Sequence, residues 1–325
     1  MDRARRAIVL AAALAALFPA TNGPGHADDF PRGGQISFVC AFPAGSGADI
    51  QVRYLANKMS AIVGQNIIVE NKPGAAGNIA ARHVVESRPD GYTVYVHSGS
   101  ATAGNMHLLK NPPFDVRKAL QPVASISKAP FTLVVRANHP AKSVRELTEM
   151  LKEKGADANY GAGSTSAKIM GEMYKVRMGL KTTQVTYRSS IDSMNDLLSG
   201  RLDFSSFDAA FGLSQAREGR IRVLAVGSGE RTKAMPDIPT MREQGVDMGH
   251  IGWWGAFVAS GTPEPIVQKW NELFAKMLSQ QDVVDYHQKI GADVFISTPK
   301  ETHDLLVKTV DEWEELVRLA NIPKM

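Results

Sequence analysis

Four short stretches of this 325-residue chain gather small, hydroxyl-bearing and charged residues in the manner of an anion site. In "FPAGSGAD", Phe42 to Asp49, the residues Gly45, Ser46 and Gly47 stand between an apolar run and an acid. Such a loop between a strand and a helix lies at a strand's carboxyl end, where open α/β sheets bind ligands. Backbone N–H groups from Ala44 to Ala48 can converge on an anion there, because a helix N-terminus leaves donors unpaired and carries the positive end of the dipole. A second stretch, "YGAGSTSAK", offers donors at Gly161, Gly163, Ser164, Thr165 and Ser166 and places Lys168 in the first turn of the following helix. A cation there is disfavoured by roughly a few tenths of a kcal/mol. An anionic partner would relieve that misfit, and a solvated surface lysine is the competing explanation. The third stretch, "YRSS", pairs Tyr187 with Arg188, whose planar fork suits a carboxylate. The fourth, "HSGSATAGN", supplies Ser98 and Ser100, and Asp208 at the end of a further strand completes the ligand-binding candidates. Four polar turns at strand ends suggest one cleft for a small anion.

Competing chemistries are poorly supported. The first loop lacks the lysine of a G-x-x-x-x-G-K-[ST] phosphate loop and is not G-x-G-x-x-G. There is no G-x-S-x-G elbow, and the eight histidines include no H-x-x-x-H pair. No metal, cofactor or catalytic residue is expected. Cys40, the one cysteine, lies in the apolar run "ISFVCAF" and reads as a buried strand residue rather than a nucleophile. Isolated histidines such as His83 and His250 read as surface or core residues. Asp49 either orients a ligand donor or N-caps its helix, and spacing favours the cap. Trp253 and Trp254 are adjacent in a strand and face opposite ways, so one belongs to the core and the other could stack on a ligand ring.

The elements that must position these residues alternate. "QISFVCAF", "NIIVEN" and "YTVYVHS" have strand composition, and "DIQVRYLANKMSAIVG" and "GNIAARHVVES" have helical spacing. In the middle of the chain "PVASIS", "FTLVVRA", "ANYGAG", "TTQVTY", "LDFSSF" and "IRVLAVGS" are strand-like. "SVRELTEMLKEKG" is a helix opened by a Ser143/Glu146 capping box. After a Pro-rich loop and the strand-like "WWGAFVAS", the last 60 residues are mainly helical. This alternation predicts parallel sheet covered by helices. With no single linker visible, two domains joined by more than one crossing are expected.

Composition is that of a soluble globular protein, 44% hydrophobic and 22% charged. The first 27 residues read as an export signal: "MDRARR" is basic, "AIVLAAALAALF" is an apolar stretch of 12, and Gly25 and Ala27 supply small residues for cleavage near Ala27. The leader holds about half of the chain's net charge of +4. The weak surplus that remains does not suggest nucleic acid.

Together these landmarks give the chain a family likeness. It resembles the periplasmic receptors of tripartite tricarboxylate transporters, the Bug-type receptors, from about Phe30 to Ile322. The likeness rests on "FPAGSGAD", "GQNIIVENKPGAAGNIAARHV", "PDGYTVYV", "LQPVASIS", "YGAGS", "GRLDF", "IRVLAVGSGERTKAMPDIPTMREQG", "WWGAFVASGTPEPIV" and "STPKE", in that order and spacing. The resemblance implies an α/β fold, a two-domain type II periplasmic binding-protein clamshell in which each domain is a mainly parallel sheet flanked by helices. It implies domain 1 from residues 28–125 and 226–325 and domain 2 from residues 126–225. It further implies a monomeric, non-enzymatic receptor that carries a small carboxylate to an integral membrane permease. One carboxylate would be held by Phe42 to Asp49 and by Gly161 to Ser166. The sequence departs from the family pattern where Ser46 breaks a double glycine, Ser189 replaces a glycine, and Lys168 takes the place of a customary histidine in a turn about two residues shorter. Lys168 and Arg188 together favour a second anionic group, hence a dicarboxylate. A ligand sensor docking to a signalling protein and, less favoured, an exported hydrolase are the alternatives.

Overall fold

The computed structural model describes residues 30–187, 189–249, 251–319 and 321–324. Residues 1–27, expected to be an export signal, and Arg188 and His250 lie outside the described residues.

Three parallel strands open the fold: β1 (Ile36–Cys40), β2 (Ile67–Asn71) and β3 (Thr93–Ser98), in the order β2-β1-β3. Each leads into a helix, respectively α1 (Gly47–Val63), α2 (Asn78–Val85) and α3 (Gly99–Leu108). A short helix α4 (Val116–Ala119) precedes β4 (Leu120–Arg136). Beyond it come α5 (Val144–Lys154), β5 (Asn159–Ala162), α6 (Thr165–Met178), β6 (Thr183–Thr186), α7 (Ser190–Leu198), β7 (Phe204–Asp208), α8 (Ala209–Arg217) and β8 (Ile221–Val226). The chain then returns through β9 (Ile251–Ala259), α9 (Glu264–Leu278), α10 (Gln281–Lys289), β10 (Asp293–Val294) and α11 (Pro299–Leu319).

β4 is one strand of 17 residues, where the sequence pattern suggested two separated by "KAP". Pro130 does not break it, because it is paired with Ile251 at the end of β9, and β7 begins its pairing only at Phe131. The missing N–H therefore falls where one ladder hands over to the next. The first part of β4 pairs with β9 and β10, and the last part with β7 and β8. Each lobe thus combines three parallel strands with antiparallel partners along β4: β1, β2 and β3 in one, β5, β6 and β7 in the other.

Register along β4 shows where the lobes meet. Ser98, the end of β3, pairs with Trp254, which pairs in turn with Ser127. Asp208, the end of β7, pairs with Phe131. β3 runs parallel to β4 and β7 antiparallel to it, so the carboxyl ends of the two parallel sets point toward each other. They are separated by four residues of β4, about 13 Å at strand rise. That gap is the cleft of a two-domain clamshell.

Two cores hold the first lobe. Phe38, Leu55, Met59, Trp270 and Phe274 pack under α1 and α9, with the Trp270 indole N–H donating to the Gly91 carbonyl at 2.8 Å. The opposite face buries Val39, Tyr95, Trp253 and Trp313, and this core continues without a break into Leu133, Tyr160, Tyr174 and Phe204 of the second lobe. Each such side chain contributes roughly 1.5–3 kcal/mol by leaving water. Among the described residues no helix is long and apolar enough to cross a membrane.

Candidate functional site

The first loop is locked by a carboxylate. Ser46 is the N-cap of α1, its Oγ accepting the Asp49 N–H at 3.2 Å. The expectation that Asp49 caps the helix is therefore corrected. Asp49 sits one turn inside α1, 1% exposed, and its side chain turns back. Oδ2 accepts the Gly45 N–H at 2.8 Å and the Arg53 Nε–H at 2.9 Å, while Oδ1 accepts from Asn71 Nδ2 at 2.7 Å. Asn71 Nδ2 also donates to the Phe42 carbonyl, and Arg53 donates to Asn71 Oδ1. Burial pushes the Asp49 carboxyl up, but the bonds from Arg53, Asn71 and Gly45 outweigh it and hold the group below the usual range. The five N–H groups from Ala44 to Ala48 are accordingly not all offered to a ligand. Gly45 donates to Asp49 and Ser46 to the Pro43 carbonyl at 3.2 Å. The N–H groups of Gly47 and Ala48, in the first turn of α1, have no partner within the helix.

"HSGSATAGN" is largely helix rather than turn. Ser98 caps α3 by accepting the Ala101 N–H, and Ser100 is buried with its Oγ accepting the Trp253 N–H. Ser98 stays at the cleft level, whereas the Ser100 hydroxyl is committed to the interior.

A segment that the sequence marked only as part of a family landmark, not as a site candidate, lies beside this wall. Between β2 and α2, Gly74, Ala75, Ala76 and Gly77 have φ of 121, 46, 53 and 92°. Two alanines in the left-handed region cost of order 1–3 kcal/mol each. The strain is held by Asn78 and Asn105, whose amides donate to the Ala75 and Ala76 carbonyls at 2.8 Å each, and by the Tyr95 hydroxyl on the Gly77 carbonyl. The signal available in the sequence was "PGAAGN" directly after a strand. Next to it lies His97, 2% exposed, with neither ring nitrogen hydrogen-bonded. Burial alone pulls its pKa down to about 3, so the ring is neutral.

The facing wall is built the same way. Ser164, Ser189 and Asp208 cap α6, α7 and α8 by accepting the N–H groups of Ala167, Asp192 and Phe211 at 3.2, 3.2 and 3.0 Å. Gly161 and Gly163 bring these turns together, with Thr165 and Ser166 opening α6. A Cβ on Gly163 would fall 2.4 Å from the backbone of Ser189, so the second and third turns touch through a position only glycine fills. Gly163→Ala is expected to separate them, lowering stability by about 1–3 kcal/mol in urea titration and weakening ligand binding in calorimetry. Tyr187 is present but turned away: its hydroxyl donates to Asp196 Oδ2 at 2.8 Å, and burial together with Asp196 pushes the phenol up to about 12. Lys168 is half-buried on α6 and makes no ion pair among the described residues. Arg188, between Tyr187 and Ser189, lies outside the described residues.

The two tryptophans divide as strand alternation requires. Trp253 is core, its indole N–H on Thr309 Oγ1 at 3.1 Å. Trp254 is partly buried and stacks on Phe42 of the first loop at 6.2 Å between ring centroids. Cys40 is buried, and burial raises its thiol pKa, which leaves it unsuited to nucleophilic work. Among the described residues no three His, Cys, Asp or Glu side chains are grouped to hold a metal. The arrangement of capped helix ends facing each other across a gap can bind a small anion.

The model of the tripartite tricarboxylate transporter family receptor matches residues 51–322. The protein BugT of Bordetella pertussis is 28% identical over 315 residues, 94% of this chain and 96% of that protein. An R. palustris protein solved with adipate superposes with a TM-score of 0.78 at 26% identity, covering 90% of this chain and 98% of that one. The protein MatC of Rhodopseudomonas palustris, solved with bound malate, gives 0.72 at 26% identity over 87% and 98%.

Proposed function

This chain belongs to the tripartite tricarboxylate transporter receptor family, a family of periplasmic solute-binding proteins, and we propose that it captures a small dicarboxylate between its lobes and delivers it to a membrane permease. Residues 1–27 would direct export, with cleavage near Ala27, and the mature protein would act as a monomer. Residues 28–125 and 226–325 would form one closing body and 126–225 the other; the change of strand partners along β4 falls at Pro130 and Phe131, a few residues beyond that boundary.

One carboxylate meets the N–H groups of Gly47 and Ala48 and the capped start of α6 around Ser164, Thr165 and Ser166. The observation that carries the second carboxylate is Lys168, a half-buried cation in the first turn of α6 without an ion pair among the described residues. Arg188, in the next turn, would join it. The adipate and malate held by the two solved relatives are both dicarboxylates, which supports the same reading here. A ligand touching both walls favours the closed state by the contacts it makes only there. Closure removes water and strengthens every N–H to carboxylate bond. The residues in named roles bind and orient, and the reading requires no covalent step.

The test is calorimetry on the mature protein with paired mono- and dicarboxylates of equal chain length. A dicarboxylate is expected to bind, and Lys168→Ala with Arg188→Ala to weaken it about tenfold or more, roughly 1.4 kcal/mol, while the monocarboxylate is unaffected. Equal affinity of the double variant for the dicarboxylate would refute the second-carboxylate assignment. Absence of binding across both sets would refute the receptor reading.

A further inference from the structure

Aromatic rings gather at the level where the lobes meet. Trp254 pairs with Ser98 on one side and Ser127 on the other, so it sits level with the carboxyl end of β3, where the lobes face each other. The residue is partly buried, packing with Phe42 on the core beneath α1 and α9, and its ring lies nearly parallel to that of Phe42, 6.2 Å away at an interplanar angle of 25°. His97 joins both, 5.1 Å from Phe42 and 5.9 Å from Trp254, and stacks on Tyr95 from below. The imidazole is buried with both nitrogens unpaired and carries no charge. Two partly buried rings, from the first loop and β9, backed by the buried imidazole of β3, thus form one uncharged patch beside the start of α1. A saturated, hydroxylated acid gains little from such a surface and loses hydration of its hydroxyls against it. A flat ring gains both area and offset stacking.

We propose that the ligand is an aromatic carboxylate, whose ring lies against Trp254 and Phe42 while its carboxylate engages the start of α1. The inference rests on the carboxylate-receptor reading and narrows its ligand class; a benzenedicarboxylate would satisfy both the aromatic patch and Lys168. Trp254 is then a specificity-determining residue. Its neighbour Trp253, turned into the core, has no such role.

Calorimetry with benzoate and the three benzenedicarboxylates against hexanedioate and butanedioate tests this on the mature protein. At least one aromatic acid is expected to bind tenfold or more tightly than the better aliphatic one. Trp254→Leu is expected to cost the aromatic ligand tenfold or more and the aliphatic ones less than threefold, and Trp254→Phe to restore most of the preference. Circular dichroism and urea titration of the variants establish that they are folded. Tighter binding of the aliphatic acids, or an equal loss for both classes in Trp254→Leu, overturns the aromatic assignment while leaving the carboxylate reading in place. Silence of both classes overturns the carboxylate reading and this inference with it.

Discussion

Asp49→Ala is expected to lower the stability of the protein by about 3 kcal/mol and to reduce carboxylate affinity at least tenfold. The carboxylate is 1% exposed and accepts from Gly45, Arg53 and Asn71 at once. Its removal takes the acceptor from the Gly45 N–H and one of two acceptors from the Asn71 amide, which keeps the Phe42 carbonyl; a hydrogen bond to a charged group is worth roughly 1.5–3 kcal/mol. The Arg53 ion pair adds less, since that side chain is 47% exposed. Affinity falls because the same bonds fix the loop from which Gly47 and Ala48 present their donors. The pH sense follows from the depressed carboxyl pKa. The contribution is fully present above the ordinary value of 3.8 and is lost as pH falls through the lower folded value. Urea titration at pH 7 and calorimetry on the same sample measure both effects. Unchanged stability in Asp49→Ala would mean that the loop is held by its backbone alone.

The second large effect is acid sensitivity centred on His97. Its ordinary pKa is 6.5, and burial lowers it to about 3 in the folded protein. Between those values the unfolded chain binds a proton that the folded chain refuses, so stability falls as pH drops below 6.5. At pH 5 the loss amounts to about 2 kcal/mol from this group alone, at 1.36 kcal/mol per unit. Burial also lowers the pKa of His287 and, together with the charge of Arg136, that of His139, so the wild type carries further acid sensitivity. His97→Phe keeps a ring beside Phe42 and Tyr95 and removes the titrating group. The difference between wild type and variant, followed by urea titration from pH 7 to pH 4.5, is expected to grow steadily in the variant's favour. Parallel profiles would show that His97 is protonated as easily folded as unfolded.

Much of this architecture could be read from residue types. Strand and helix alternation, the glycine that closes α1 at Gly64, and the N-cap at Ser143 were legible because each depends on neighbours within a few residues, although the Glu146 carboxylate accepts the N–H of Lys142 rather than that of Ser143. β4 was not, because whether Pro130 ends a strand depends on which partner stands opposite it, and Ile251 is far away in sequence. The same limit applies at the site. The small-residue turns were visible, and the family likeness ordered them. The division of labour between Ser46 and Asp49 was not visible: both cap helices well, and the choice is made by Asn71 at the end of β2. Alternation stated that Trp253 and Trp254 part company without stating which is core, since that is settled by Thr309 on α11. The turn from Gly74 to Gly77 gave the weakest signal, because alanine in the left-handed region has no sequence signature of its own.

The shared strand β4 has a further consequence for how such a protein can change over time. Its first half completes one lobe's ladder and its second half the other's. Neither lobe can therefore be cut out, duplicated or exchanged with a cousin's without tearing interior strand pairings from what remains. Substitutions on the facing turns leave this shared strand intact, whereas an exchange of halves would break its pairings.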